Sequence, residues 1–140
     1  MSNALGIDYG RRRMGLSFAD ELGIAMPLQA VPGVEESGCF DALTEVVRNR
    51  KPTLFVVGYP FNMDGSVGSR AKEVDAFVDE LERRFSLPVE KVDERLTTYQ
   101  AKEDLRKTAA GSRKSKNRGE LDSAAATLIL RDFLESRNMA

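Results

Sequence analysis

Short apolar runs separated by turn residues dominate the first part of the chain. Leu5 to Asp8 is an apolar run ending in an acid, Gly10 with Arg11 to Arg13 supplies a turn, and Met14 to Phe18 resumes apolar character. That pattern predicts a β-hairpin. Ile24 to Val31 adds a third strand, placed at a sheet edge because Pro27 cannot donate to a ladder. Phe40, Leu43, Val46 and Val47 recur at helical spacing between Ser37 and Arg50 and predict the first helix. Thr53 to Val57 reads TLFVV, a continuous β-rich run of the kind buried on both faces.

After YPFNMDGSVGSR, a loop rich in Asn, Asp and Gly, Val74, Phe77, Val78 and Leu81 mark a second helix. Leu87 to Val92 forms another strand, ending at Asp93 and Glu94. A third helix spans Thr97 to Lys107 with Ala101 and Leu105 inward, and Thr108 to Arg118 reads as a mobile loop. Finally Leu121, Ala124, Ala125, Leu128, Ile129 and Phe133 share one helical face, with Asp122 beside it near the helix start. The order β-β-β-α-β-α-β-α-α implies an α/β fold, a mixed sheet with helices packed on it. With 140 residues and 15.5 kDa, the expectation is a single domain spanning 1–140.

Composition narrows the chemistry more than the fold. Histidine is absent, which removes His-dependent triads, His-based zinc sites and an imidazole general base. A lone cysteine, Cys39, can build neither a zinc site nor an internal disulfide. Any metal is therefore expected to be hard and oxygen-bound, with Mg²⁺ or Mn²⁺ foremost. No apolar run approaches the ~20 residues needed to span a bilayer, and no signal peptide is recognisable, so a cytoplasmic location is expected. The net charge is −1, yet Arg106 to Arg118 holds six basic residues and no acid. Such a segment suits a nucleic-acid backbone, although a solvated loop would read the same way.

Three separated acids are the candidate chemical groups: Asp8 at a strand end, Glu94 in DERLTT, and Asp122 in LDSAAATLIL. Brought together, they would make a carboxylate cluster suited to divalent metals and phosphodiester chemistry. Each has a plainer alternative. Asp8 could cap a turn, Glu94 could pair with Arg95, and Asp122 could offset a helix dipole. Asp93 competes with Glu94, because adjacent side chains on an extended segment point opposite ways. Arg70 and the helix start after the glycine-rich loop could hold a phosphate, and Tyr59 could stack on a base. Tyr9, Tyr59 and Tyr99 otherwise read as packing residues with a polar tip, and Cys39 as a small apolar one.

Taken together, GIDYGRRRMGLS, VVGYPFNMDGS, VDERLTT and LDSAAATLIL resemble, in order and spacing, the YqgF family of RuvC-like proteins, also called RuvX. The resemblance runs from about Leu5 to Leu134. It implies an RNase H-like fold with a five-stranded mixed sheet, and a nuclease processing the 5′ end of the pre-16S ribosomal RNA. By the same resemblance Asp8, Glu94 and Asp122 are the catalytic and metal-binding acids. Two divalent ions, Mg²⁺ or Mn²⁺, would then supply the hydrolytic chemistry, with no protein general base needed. Arg12 and Arg13 match the basic pair that usually follows DYG. Together with Arg70, Arg95, Arg113, Lys114, Lys116 and Arg118 they are the candidate nucleic-acid contacts. Tyr59 and Phe61 stand where aliphatic residues are more usual.

Two further readings compete with the ribosomal RNA nuclease. One is a resolvase of four-way DNA junctions, which calls for a homodimer. The other is a non-catalytic nucleic-acid-binding factor in ribosome maturation or transcription.

Overall fold

Alternation of small and large residues along the first two strands decides how the molecule is layered. In the computed structural model, which describes residues 3–60, 65–93 and 118–138, β1 (Ala4–Asp8) and β2 (Arg13–Ala19) are antiparallel neighbours. Their register pairs Ala4 with Ala19, Gly6 with Ser17 and Asp8 with Gly15, while Leu5 faces Phe18 and Ile7 faces Leu16. Directly opposed residues project to the same side of a sheet. Across these pairs one face therefore carries small or short side chains, and the other carries bulky apolar ones.

β3 (Met26–Pro32), α1 (Cys39–Arg50), β4 (Leu54–Tyr59), α2 (Ser69–Phe85), β5 (Val89–Asp93) and α3 (Arg118–Asn138) follow. The strands form one mixed sheet in the order β3-β2-β1-β4-β5. β1, β4 and β5 run parallel, and β3 is an edge antiparallel to β2, as its prolines require. β1 lies at the centre and is buried at every position, and β4 is buried from Phe55 through Tyr59.

The bulky face packs Leu5, Ile7, Met14, Leu16, Phe55 and Val57 against Leu43 of α1 and Val74, Phe77 and Leu81 of α2. Cys39 is buried in this core, as its small apolar character implied. The small face receives α3, whose Ile129 and Leu130 are fully buried against Ala4, Ala19 and Val56. Each such side chain contributes roughly 1.5–3 kcal/mol on burial.

Small residues matter there because the helix backbone itself comes close. A Cβ on Gly15 would lie 1.9 Å from the Asp122 carbonyl oxygen, and one on Gly6 would lie 3.2 Å from that of Ala126. Two serines fix the register of this contact. Ser17 Oγ donates to the Ala126 carbonyl at 2.8 Å, and the Leu16 amide donates to Ser123 Oγ at 3.2 Å. The β2–β3 pairing shifts register between Met14 and Leu16, beside the place where Ser123 reaches the strand.

The final helix departs from its periodicity-based reading in two ways. It includes Arg118, where the sequence pattern predicts a loop; its first turn is polar and so leaves no trace in an apolar pattern. Its buried face holds Ser123, Ala126, Thr127 and Leu130 beside Ala125 and Ile129, whereas Leu121, Ala124 and Leu128 are only half-buried. Ser123 and Thr127 look polar in sequence, but Thr127 Oγ1 donates to the Ser123 carbonyl at 2.8 Å and Ser123 serves the sheet. Elsewhere boundaries move by a few residues: Ile24 precedes β3 and is exposed, and β4 extends through Tyr59. The expected helix over Thr97 to Lys107, and the loop before Arg118, lie outside the described residues. Among the described residues no helix is long and apolar enough to cross a membrane.

The turn between β1 and β2 is held from two sides. Amides of Gly33, Val34 and Glu35 donate to the carbonyls of Arg12, Gly10 and Arg11 at 2.8–3.1 Å. From α2, Glu73 accepts from the Tyr9 hydroxyl at 3.2 Å and from the Arg11 guanidinium. The hydrogen bond and charge of Arg11 hold the Glu73 carboxyl below the usual range, against an opposing effect of burial.

Adding the single methyl of Gly15→Ala should force α3 off the sheet and cost about 1–3 kcal/mol in urea denaturation. The lowered Glu73 carboxyl makes its contribution complete above the ordinary glutamate value of 4.5 and progressively lost as pH falls through the lower folded value. Glu73→Gln should accordingly flatten the acid limb of stability against pH, measured by thermal melts from neutral pH downward; an unchanged acid limb would refute the tie.

Candidate active site

Because β1, β4 and β5 are parallel, their carboxyl ends open at one end of the sheet, where they finish with Asp8, Tyr59 and Asp93. Ligands in open α/β sheets bind characteristically at that end. Asp8 is only 6% exposed. It lies directly opposite Gly15, so its side chain shares the face on which Gly15 meets the backbone of Asp122. The structure thus brings Asp8 and Asp122 to one face and one end of the sheet. The glycine between them is what permits the approach.

Asp122 is the fifth residue of α3, a turn beyond the position where an acid would offset the helix dipole. Its Oδ2 instead accepts from Arg13 Nε at 3.0 Å. Glu94 lies outside the described residues. The strand leading to it is described, and its alternation is clear. Lys91 donates to Asp75 of α2 at 2.8 Å on one side of the sheet, while Val92 packs with Ile129 and Leu130 on the other. Asp93 has the parity of Lys91 and therefore the α2 side.

The three arginines of the hairpin turn have different surroundings. Arg11 is tied to Glu73 and approaches Glu35 at 3.8 Å, Arg12 is exposed, and Arg13 reaches Asp122. Arg13, a candidate phosphate contact, pairs with an acid in this structure. The cause is parity: Arg13 shares the strand face of Gly15 and Ser17, the face that α3 covers. Arg70, at the start of α2, donates to the Tyr9 carbonyl at 2.9 Å, with its guanidinium 5.3 Å from the Tyr9 ring centre. It therefore stands one residue from Asp8. The α2 start has Gly68 as its cap, with no side-chain capping bond and no acid in the first turn.

Arg118 opens α3, and Arg95, Arg113, Lys114 and Lys116 lie outside the described residues, as do Phe61 and Tyr99. Tyr59 is not offered to a base. Its hydroxyl donates to Asp75 at 2.9 Å and Lys91 lies 4.9 Å above its ring. The pair Asp75 and Lys91 thereby fastens α2 to β5 beside the site.

Asp8 and Asp122 supply hard carboxylate oxygens, and Cys39, the chain's only thiol, is buried on the opposite face of the sheet. That donor chemistry fits Mg²⁺ or Mn²⁺ and not a soft metal. Among the described residues these two acids do not by themselves make a group of three metal-binding side chains. Gly15, Ser123 and Glu73 escaped the motif-based reading although they position the site. The small-large alternation ALGID against GLSFA carried the signal for Gly15.

Comparison with known proteins bears on the family and the fold. A family described as "RuvX: Holliday junction resolvase" matches residues 2–136. A protein of Opitutus terrae named "Putative pre-16S rRNA nuclease" is 45% identical over 134 residues, covering 95% of this chain and 91% of the relative. A relative of the same name from a Synechococcus strain is 38% identical, covering 96% and 89%. Among solved structures, RuvC of T. thermophilus in complex with Holliday junction substrate superposes with a TM-score of 0.59 at 18% identity, covering 99% of this chain and 96% of that one. That likeness establishes the RuvC-like, RNase H-type fold. With a match over nearly its whole length and relatives of this similarity, the chain belongs to the RuvX family.

Proposed function

We propose that the protein is a metal-dependent endonuclease that cleaves the precursor of 16S ribosomal RNA near its 5′ end, acting in the cytoplasm as one domain. The observation that carries the reading is the juxtaposition of Asp8 and Asp122 across Gly15 at the carboxyl ends of the parallel strands. Two acids from distant parts of the sequence are brought to one end of the sheet by a close approach that requires glycine at position 15. The names borne by the relatives from Opitutus and Synechococcus supply the substrate class.

Asp8 and Asp122 would hold divalent cations, with Glu94 as the third acid. Asp93 has the parity of Lys91, which faces α2, on the side of the sheet away from Asp8 and Asp122. This favours Glu94 over its neighbour. When bound, such ions supply Lewis-acid chemistry and a nucleophile at neutral pH, which suits a chain that has no imidazole general base. Rigid placement of the acids is the protein's part. Asp8 is set by the central strand and Asp122 by the serine-pinned helix, so neither must reorganise when substrate arrives.

Positioning of the RNA falls to the basic residues around this end of the sheet. Arg12 is exposed on a turn fixed by backbone hydrogen bonds, and Arg70 stands beside Tyr9 at the α2 start. Contacts of this type to phosphate orient the strand without reading its sequence. Arg95, Arg113, Lys114, Lys116 and Arg118 extend the same role. A four-way DNA junction is the competing substrate, given the family's description as a Holliday junction resolvase.

Asp8→Asn should fold normally yet lose more than about a hundredfold of Mg²⁺- or Mn²⁺-dependent cleavage, beyond what loss of an outer-shell partner costs. The assay compares precursor 16S RNA and a four-way DNA junction, each with and without Mn²⁺. Full activity in Asp8→Asn would remove the site assignment. Paired nicks in the junction with intact RNA would transfer the function to DNA, and metal-independent binding without cleavage would leave a maturation factor.

A further inference from the structure

Arg13 and Asp122 form an ion pair whose two members differ in freedom. The Arg13 side chain is 41% exposed and that of Asp122 is 19% exposed. Asp122 cannot move with ease, because its backbone rests on Gly15 and the next residue, Ser123, is bonded to the Leu16 amide. Arg13 can. It opens β2 on a long flexible stem, and it reaches the acid through Nε alone. Its terminal guanidinium nitrogens have no partner among the described residues.

Nor does the helix need this pair to stay in place. Ser17 and Ser123 already fix its register, and Ile129 and Leu130 are fully buried beneath it. A half-exposed ion pair adds little stability to such a contact. What the pair does is electrostatic. It places a positive charge on the carboxylate that a divalent cation would use, and two cations cannot share that oxygen without mutual repulsion.

We propose that Arg13 is a displaceable counter-cation of Asp122: it neutralises the carboxylate while the site is free of metal, yields it to a divalent ion, and is thereby released to a substrate phosphate. The inference rests on the reading of Asp122 as a metal ligand. It makes Arg13 a positioning residue that couples metal binding to nucleic-acid binding. An outer-shell partner that merely orients a ligand would have the opposite sign, since its removal weakens metal binding.

The test is isothermal titration of Mn²⁺ into the full chain without nucleic acid. Arg13→Gln should bind Mn²⁺ roughly two- to fivefold more tightly than wild type, the size expected of one half-exposed ion pair. Arg13→Lys, which keeps the charge, should stay near wild type. Arg13→Met keeps the aliphatic stem and repeats the measurement should Arg13→Gln fold poorly. In an Asp122→Asn background the Arg13→Gln gain should vanish. Fluorescence anisotropy of labelled RNA with Ca²⁺ supplies the second readout: the Ca²⁺-dependent gain in RNA affinity should be smaller in Arg13→Gln. Unchanged or weaker Mn²⁺ binding by Arg13→Gln, with Asp122→Asn impaired, would overturn this proposal and leave the site intact. Mn²⁺ binding by Asp122→Asn equal to wild type would overturn the site assignment itself.

Discussion

Backbone-to-backbone contact between α3 and the paired strands β1 and β2 is the constraint on which the remaining structure depends. Most helix-on-sheet contacts are mediated by side chains that can adjust to one another. Here Gly15 has the Asp122 carbonyl where a side chain would begin, so the spacing is set by atoms that cannot change rotamer. Every other element is arranged around that approach. The bulky residues of the same strands are sent to the opposite face, where α1 and α2 cover them. The buried Leu16 amide beside the contact is satisfied by Ser123.

That contact links fold to chemistry with few intermediaries. Asp8 is opposite Gly15, and Gly15 is against Asp122. Separation in sequence is large, but separation in structural terms is a single residue pair. The supporting ties at the same end follow one design. Glu73 holds the hairpin turn, Asp75 holds β5 and the Tyr59 hydroxyl, and both acids belong to α2. One helix thus fastens the ends of three parallel strands from the face opposite the proposed metal site.

Periodicity made the hairpin, the edge strand, α1, α2 and the central strand β4 readable, because each has a burial pattern that a hydrophobic count detects. It misplaced the buried face of the last helix, since Ser123 and Thr127 count as polar until their hydrogen-bond partners are known. Arg118 was missed as a helical residue for a related reason: a polar first turn has no apolar period. The acids Asp8 and Asp122 were recognisable from their motifs, while their meeting depended on strand register, which no local pattern states. Arg13 shows the limit most plainly. Its motif marks it as a candidate phosphate contact, while the acid beside it is seen only once strand parity is known. Glu94 lies outside the described residues, and only the parity of the strand before it bears on its role.

The arginine turn between β1 and β2 has a thermodynamic consequence. Three amides from the segment following β3 bond to the carbonyls of residues 10–12, and Glu73 clamps Arg11 from another direction. The conformational entropy of that turn is consequently lost when the protein folds and not when a ligand binds. What remains to be ordered by a polyanion is side-chain rotamers, those of the exposed Arg12 first. A polyanion bound at a surface built in this way would release its counterions without a compensating loss of backbone freedom, leaving salt as the chief control of affinity.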